Sequence, residues 1–495
     1  RSKRTLCRKN FVVPSRRSST IKKRPRHSAN AQIHQPALMG GVSLKKYFFC
    51  AKNVEDYRKI YNAVITDKKL TRQNGEVIEE TIVDENSDAS TKELFEQHLF
   101  FKQLKELFQL SDKVFDYKTF CETGIEGLRY DFNFGLRIDV PKGNFRVRIG
   151  EADTGEIFFD RLVLDGGRLI SLEQHFIRWH FEIFRDDEKV FEHTLNLENQ
   201  PVSLMISGAM GDNIALLPFA KEFRRRHRCK LVVCVQDYLR EFAEHLYPDL
   251  TLVDKIYFDT YATYYPVIML AGLGIGAGDL RNMPLERMGG AFLGLNNLAP
   301  KPIFKPTAPP VTKEPYVCIA VQASGNRKCW LYPDGWDIVV NYLKALGYRV
   351  FCIDKYAELT NDDLTIKKPE GAEDFTGDFS ITERANMLYH AQFFVGLSSG
   401  LAWVANTVKC PVVMICGFSQ SWFEFYTPYR VANRLVCNGC LTDIRVNYLK
   451  NRCPYHHDTP RELECQKKIH PRQVINAINR LILDEHLTPP LVKGN

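Results

Sequence analysis

The 495-residue chain has no apolar run near the ~20 residues that a bilayer-spanning helix needs. Its best stretch, residues 265–277, is short and Gly-rich, which argues against an integral membrane protein. The first residues carry no apolar core, so no secretory signal is expected there. Compositional extremes are missing as well. With 44% hydrophobic, 12% aromatic and 25% charged residues, a collagen-like, disordered or coiled-coil chain is excluded. Acidic residues are absent from residues 1–41, which hold 11 Lys and Arg. Outside that stretch 56 basic residues face 59 acidic ones, a net of −3 against +8 for the whole chain. The body is therefore not a basic nucleic-acid-binding surface. The basic stretch reads as a disordered tail or translated upstream codons, Met39 being the first methionine. It also fits an acid-poor transit segment, or an arm for nucleic acid or anionic lipid.

The pattern changes along the chain. Residues 1–42 read as the basic tail, and 43–127 as a helical N-terminal extension, on the patterns at 54–61 and 92–100. Residues 128–200 alternate apolar and polar positions between turns such as Asp165-Gly166-Gly167, which predicts a small antiparallel sheet or β-barrel domain with nothing catalytic in it. From Val202 strands and helices alternate. Residues 201–300 and 311–435 predict two Rossmann-like α/β domains, joined by the Pro-rich stretch 300–310. Residues 436–470 hold a cysteine cluster, and 471–495 a helix and tail. Two such domains with a cleft between them suit an enzyme that takes a donor and an acceptor, such as a glycosyltransferase.

Four places carry the means for chemistry. Gly208-Ala209-Met210-Gly211-Asp212 ends a strand and opens a helix. Glycines there let a ligand approach the backbone, and unpaired N–H groups attract anions. Asp212 is suited to take a proton from an acceptor hydroxyl, or else simply caps the helix. At the end of the strand 316–321, Arg327 and Lys328 are placed to neutralise a leaving diphosphate, or form a solvated pair. Ser398 and Ser399, ahead of Gly400, form a phosphate cradle or a tight packing turn. Cys437, Cys440, Cys453 and Cys465 fall within 29 residues, a spacing that matches a closed tetrahedral site of four sulfurs for zinc or iron, with a redox CxxC pair as the alternative. His456, His457 and His470 are possible substitutes as ligands. A closed site has no open position, so it would hold a loop. The other ten cysteines stand singly and read as reduced, buried thiols of a cytosolic protein.

These pieces, in this order, resemble the bacterial autotransporter heptosyltransferase family. The resemblance spans roughly residues 128–485. Its phrases are Tyr130-Asp131-Phe132-Asn133, Gly211-Asp212, Lys328-Cys329-Trp330, Gly371-Ala372-Glu373-Asp374-Phe375-Thr376-Gly377 and Leu397-Ser398-Ser399-Gly400-Leu401. Gly417-Phe418-Ser419, Glu424-Phe425-Tyr426-Thr427-Pro428 and the four cysteines complete it. It implies an α/β, GT-B-like pair of Rossmann-like domains with an N-terminal β-barrel and a four-cysteine metal finger holding one iron ion, zinc being possible. Asp212 falls on the family's catalytic aspartate and Lys328 on its diphosphate-binding lysine. Cys437, Cys440, Cys453 and Cys465 fall on its metal ligands. Gly211, Trp330, Thr376, Ser398, Ser399, Gly400 and Gly417 fall around the substrate. The related lipopolysaccharide enzymes carry Asp-Thr-Gly where Ser398-Ser399-Gly400 stands here, so an acidic contact is lost.

The implied activity is inverting transfer of heptose from ADP-heptose to Ser or Thr of an autotransporter adhesin passenger. It needs no catalytic divalent metal and belongs in the bacterial cytoplasm, in a large homo-oligomer, without nucleic acid or a transmembrane segment. Two alternatives stand beside it: a heptosyltransferase for a lipopolysaccharide or oligosaccharide acceptor, and a metal-finger nucleic-acid-binding protein.

Overall fold

The computed structural model describes strand residues 48–51, 69–74 and 77–82, then residues 118–492 apart from 134, 172, 207, 267–281, 296–298, 362–363, 444–445 and 447–452. The basic tail and the helical patterns at 54–61 and 92–100 lie outside the described residues. What is described of 43–117 is strand rather than helix: β1 (Phe48–Ala51), and a hairpin of β2 (Lys69–Asn74) and β3 (Val77–Ile82). β1 pairs antiparallel with a strand of the next domain, so the extension completes a sheet there.

That domain holds β4 (Cys121–Glu122), β5 (Arg129–Asp131), β6 (Arg137–Val140), β7 (Phe145–Glu151), β8 (Ile157–Leu162), β9 (Gly167–Ser171), β10 (Trp179–Arg185) and β11 (Glu188–Thr194). They form two antiparallel sheets, ordered β1-β9-β6-β5-β4 and β11-β10-β7-β8. Period-two alternation drives this: Trp179, Phe181 and Ile183 of β10 are buried while His180 and Glu182 between them are part-exposed. The phrase Tyr130-Asp131-Phe132-Asn133 is a joint. Phe132 N–H donates to Tyr261 O at 2.9 Å, and Asn133 Nδ2 to Thr260 O at 2.7 Å, both in the following lobe.

The first lobe is a βαβ unit. β12 (Pro201–Met205) leads into α1 (Met210–His227), β13 (Lys230–Cys234), α2 (Asp237–Leu246), β14 (Thr251–Val253), β15 (Ala262–Tyr264) and α3 (Leu285–Phe292). Its parallel sheet runs β14-β13-β12-β15. In α2, Leu239, Phe242, Ala243 and Leu246 recur at helical spacing and are buried.

The second lobe holds β16 (Tyr316–Ile319), α4 (Gly335–Ala345), β17 (Arg349–Cys352), a hairpin of β18 (Glu358–Asn361) and β19 (Leu364–Lys367), β20 (Glu373–Asp374), α5 (Ile381–His390), β21 (Phe394–Leu397), α6 (Gly400–Thr407), β22 (Val412–Ile415) and β23 (Arg430–Val431). Six strands run parallel in the order β20-β17-β16-β21-β22-β23. β16, β21 and β22 are buried at every position, as expected of a sheet covered on both faces. The finger's helix α7 (Glu464–Lys467) precedes α8 (Pro471–Asp484), which packs on α4 and β22. The Pro-rich connector is strapped down: Thr307 and Ala308 N–H donate to Asn386 Oδ1 of α5 at 2.8 and 3.3 Å, and His245 of α2 bonds Lys305 O at 2.7 Å. No helix among the described residues is long and apolar enough to cross a membrane.

Candidate active site

The residues singled out in the two lobes all follow carboxyl ends of parallel strands, where open α/β sheets take ligands. After β12 the chain turns at Gly208, whose φ is +108°. A side chain there would also meet Asp212 Oδ2 at 2.8 Å, so glycine is required on both counts. Asp212 Oδ2 accepts the Ala209 N–H at 2.8 Å and caps the start of α1. The residue is half-buried. Burial pushes its pKa up, while the Ala209 N–H and then the charge of Lys328 pull it down. Lys328 belongs to the other lobe, so its charge reaches Asp212 across the boundary between the lobes. Tyr238 at the start of α2 lies beside them; burial and then the Asp212 charge raise its pKa.

Lys328 closes a single tight helical turn, Asn326–Lys328. Its Nζ stands 5.8 Å from the centre of the buried Phe418 ring. Arg327 serves a different neighbour: its charge acts on Cys440 of the finger. The helix starts of the two lobes converge. A Cβ on Gly400 would come within 2.7 Å of Met210, and one on Gly211 within 2.6 Å of Trp403. The N-termini of α1 and α6 therefore add their positive ends to the same crevice, which suits an anionic ligand.

Several expected ligand contacts have other partners. The Ser398 hydroxyl is buried and donates to Glu424 Oε1. Glu424 also accepts Ser419 Oγ at 2.6 Å and Arg430 Nη1 at 2.8 Å. What Ser398 and Ser399 offer is the backbone ahead of α6, where Ser399 is the N-cap residue. Trp330 is a core residue. It is 3% exposed, packs edge-on to Trp336 and donates Nε1 to Ile469 O at 2.8 Å. Thr376 follows β20, and its hydroxyl donates to Asp374 at 2.6 Å. Gly417 is buried against the finger, where a Cβ would lie 2.2 Å from Cys465 O. Sequence reasoning assigns no role to Tyr238, Trp403 or Glu424, although Trp403 ends the stretch that holds Ser398, Ser399 and Gly400. Glu424 stood in a quoted phrase, but only folding joins it to Ser398, 26 residues away in the chain.

Strand ends in this lobe are fixed by Asp354, which accepts Val321 N–H at 2.7 Å and Gln322 N–H at 3.2 Å. Burial lifts its pKa to about 6 against those two bonds.

The four finger cysteines come together in one neighbourhood. Cys440 is pushed up to about 11, mainly by burial, with Cys453 and Cys437 adding to it. Burial likewise raises Cys465, and then Cys440, Cys453, Cys416 and Cys437 in that order. Cys440 and Cys465 are buried and Cys437 and Cys453 part-exposed, and four sulfurs gathered in one neighbourhood are a donor set that suits iron or zinc. The histidines are engaged elsewhere. His457 Nδ1 bonds Glu462 at 2.7 Å, and His470 caps α8 by accepting Arg472 N–H at 3.1 Å. Among the described residues, the group whose ligand atoms all lie within 4.8 Å of one another is His457, Asp458 and Glu462, exposed at Asp458; the finger sulfurs are not drawn that close together. The twelve cysteines whose side chains are described are all free.

Two parallel-sheet lobes whose helix starts converge form a GT-B-like pair, the architecture of a class of glycosyltransferases. The chain matches the glycosyltransferase family 9 (heptosyltransferase) model over residues 297–451, and the model of the N-terminal domain of glycosyltransferase TibC over 124–187. It is 39% identical over 371 residues to the autotransporter heptosyltransferase Aah of Escherichia coli, covering 72% of this chain and 93% of that protein. The solved dodecameric iron-containing heptosyltransferase TibC, in complex with ADP-D-β-D-heptose, is 35% identical with a TM-score of 0.70, covering 74% of this chain and 99% of TibC. A more distant relative, 31% identical over 377 residues (72% of this chain and 87% of its own), is the inactive autotransporter heptosyltransferase BimC of Burkholderia thailandensis. The chain belongs to the autotransporter heptosyltransferase family.

Proposed function

We propose that this protein transfers heptose, with inversion, from ADP-D-β-D-heptose to Ser or Thr hydroxyls of an autotransporter adhesin passenger in the bacterial cytoplasm. The observation that carries the reading is the convergence of the two helix starts, Gly211 on Trp403 and Gly400 on Met210, which brings the Asp212 turn of one lobe to the other lobe, whose Lys328 charge acts on Asp212. Family membership alone does not carry it, because BimC is inactive. The diphosphate sits on Lys328 and the backbone N–H groups at the start of α6, beside Ser399 and Gly400. As the bond from the anomeric carbon to the ADP oxygen breaks, negative charge grows on the β-phosphate, where Lys328 and the helix ends stabilise it. The acceptor oxygen attacks from the opposite face, and Asp212 takes its proton. General-base assistance of this kind contributes ~10²–10⁴-fold. Cys437, Cys440, Cys453 and Cys465 hold one iron ion per chain, which cross-links the finger. The dodecameric state of TibC supports a large homo-oligomer for this chain.

The test is co-expression with an autotransporter passenger, followed by intact-mass analysis. The passenger gains heptose units with the native chain. With Asp212→Asn transfer falls by ~10² or more while ADP still binds. With Lys328→Ala, ADP affinity falls in calorimetry. An unmodified passenger beside heptosylated lipooligosaccharide would overturn the acceptor, and near-native turnover by Asp212→Asn would overturn the base.

A further inference from the structure

We infer that Gln466 is a positioning residue that ties the peptide bearing Lys328 to the metal finger, so that the finger sets where the donor-site cation stands. The inference rests on the reading of Lys328 as the diphosphate ligand. Gln466 follows Cys465 directly in α7 and is completely buried. Its Nε2 donates to Arg327 O at 2.5 Å. That carbonyl belongs to the peptide unit joining Arg327 to Lys328. The N–H of the same unit donates to Gly325 O at 2.9 Å, so both polar atoms of the plane before Lys328 are pinned. The backbone carbonyl of Gln466 in turn accepts Leu331 N–H at 3.3 Å, gripping the far side of the segment. A second path reaches Lys328 from the same finger. Gly439 N–H donates to Gly417 O and Leu441 N–H to Phe418 O, each at 2.9 Å, and the Phe418 ring underlies Lys328 Nζ. The choice of residue is itself informative. A buried amide costs free energy unless both ends are bonded, and Gln466 Oε1 has no partner among the described residues. An apolar side chain would fill the position at lower cost; what only an amide supplies is the bond to Arg327 O.

The test uses the full, metal-loaded chain and ADP as the calorimetric probe. Gln466→Met keeps the volume and removes the donor. It is expected to weaken ADP binding by about three- to tenfold, with metal content and thermal midpoint near native values. On the Lys328→Ala background the same change costs less than about 1.5-fold, because the group being positioned is gone. Gln466→Glu, which exchanges the donor for an acceptor, repeats the measurement should the Met variant not fold. Unchanged ADP affinity in a folded, loaded variant overturns the inference, as does an equal loss on both backgrounds. If neither variant retains metal, Gln466 serves the finger's own fold and the inference is overturned. Failure of the donor-site reading looks different: Lys328→Ala alone would then leave ADP affinity unchanged.

Discussion

Asp212, the proposed base, stands under two opposed influences. Burial favours the neutral acid, and the Ala209 N–H and Lys328 favour the carboxylate, with burial the larger. A base must be ionised, so the rate rises with pH through the Asp212 pKa. Because that value is raised, the acid limb of kcat at saturating donor should have its midpoint above the ~4 of an ordinary Asp. Lys328→Ala removes a charge that lowers the pKa, so the limb should move further toward high pH. A limb at or below ~4, or a shift to lower pH in the variant, would remove Asp212 from this role. The strand-end positions of Asp212 and Lys328 are legible in the sequence because strand, glycine turn and helix are local patterns, and the strand end dictates where the next residues point. Trp330 is not, since an aromatic after a strand end suits a ligand face and a core equally; only its bond to Ile469 O decides. Ser398 misleads for a similar reason. A hydroxyl ahead of a helix suggests a phosphate contact until a buried carboxylate 26 residues away claims it.

At the scale of elements, alternation and apolar runs identify the strands of both α/β lobes and of the β-domain, because burial on one or two faces leaves its period in the sequence. The strands β1 to β3 escape that signal. β1 is four residues long, and β2 carries Lys69, Arg72 and Gln73 without a continuous apolar face. The phrase Tyr130-Asp131-Phe132-Asn133 stands out as a motif, but its purpose emerges only in three dimensions. Asp131 and Arg137 are both 0% exposed and form a bidentate pair, with Nε to Oδ1 at 2.8 Å and Nη2 to Oδ2 at 2.5 Å. Asp131 also accepts Asn133 Nδ2 at 3.0 Å, and Asn133 reaches the first lobe. Removing the cation leaves a carboxylate buried at the joint. Arg137→Met is therefore expected to cost ~3–5 kcal/mol in reversible denaturant unfolding, whereas loss of an exposed pair such as Arg225–Glu222 should cost far less. A loss below ~1 kcal/mol for Arg137→Met would mean that water or relaxation reaches Asp131.

At the scale of the whole molecule, the relation between the lobes matters most, because Asp212 and Lys328 come from different ones. The Pro-rich connector does not behave as a loose tether. It is bonded to α2 of the first lobe and α5 of the second, and Phe304 within it is buried against Phe242 and Tyr389. At the crevice the lobes meet through Gly211 on Trp403 and Gly400 on Met210. Neither glycine has a positive φ, so what each supplies is the absence of a side chain at a helix-to-helix contact. An added methyl at Gly211 would meet the Trp403 ring at 2.6 Å, and Trp403 is only 4% exposed and packed edge-on to Phe425, so the ring has little room to yield. The strain is relieved by parting α1 from α6, which draws Asp212 away from Lys328. Overpacking of this kind costs ~1–3 kcal/mol of stability. Displacing a catalytic group by about 1 Å costs ~10²-fold in rate. Gly211→Ala should therefore fold, lose a few degrees in thermal midpoint, and lose far more turnover than stability. Trimming the opposing ring with Trp403→Leu in the same chain should restore part of that turnover, although Trp403→Leu alone is itself destabilising. Native turnover in Gly211→Ala would show that the contact between the helix starts does not set the distance from base to donor.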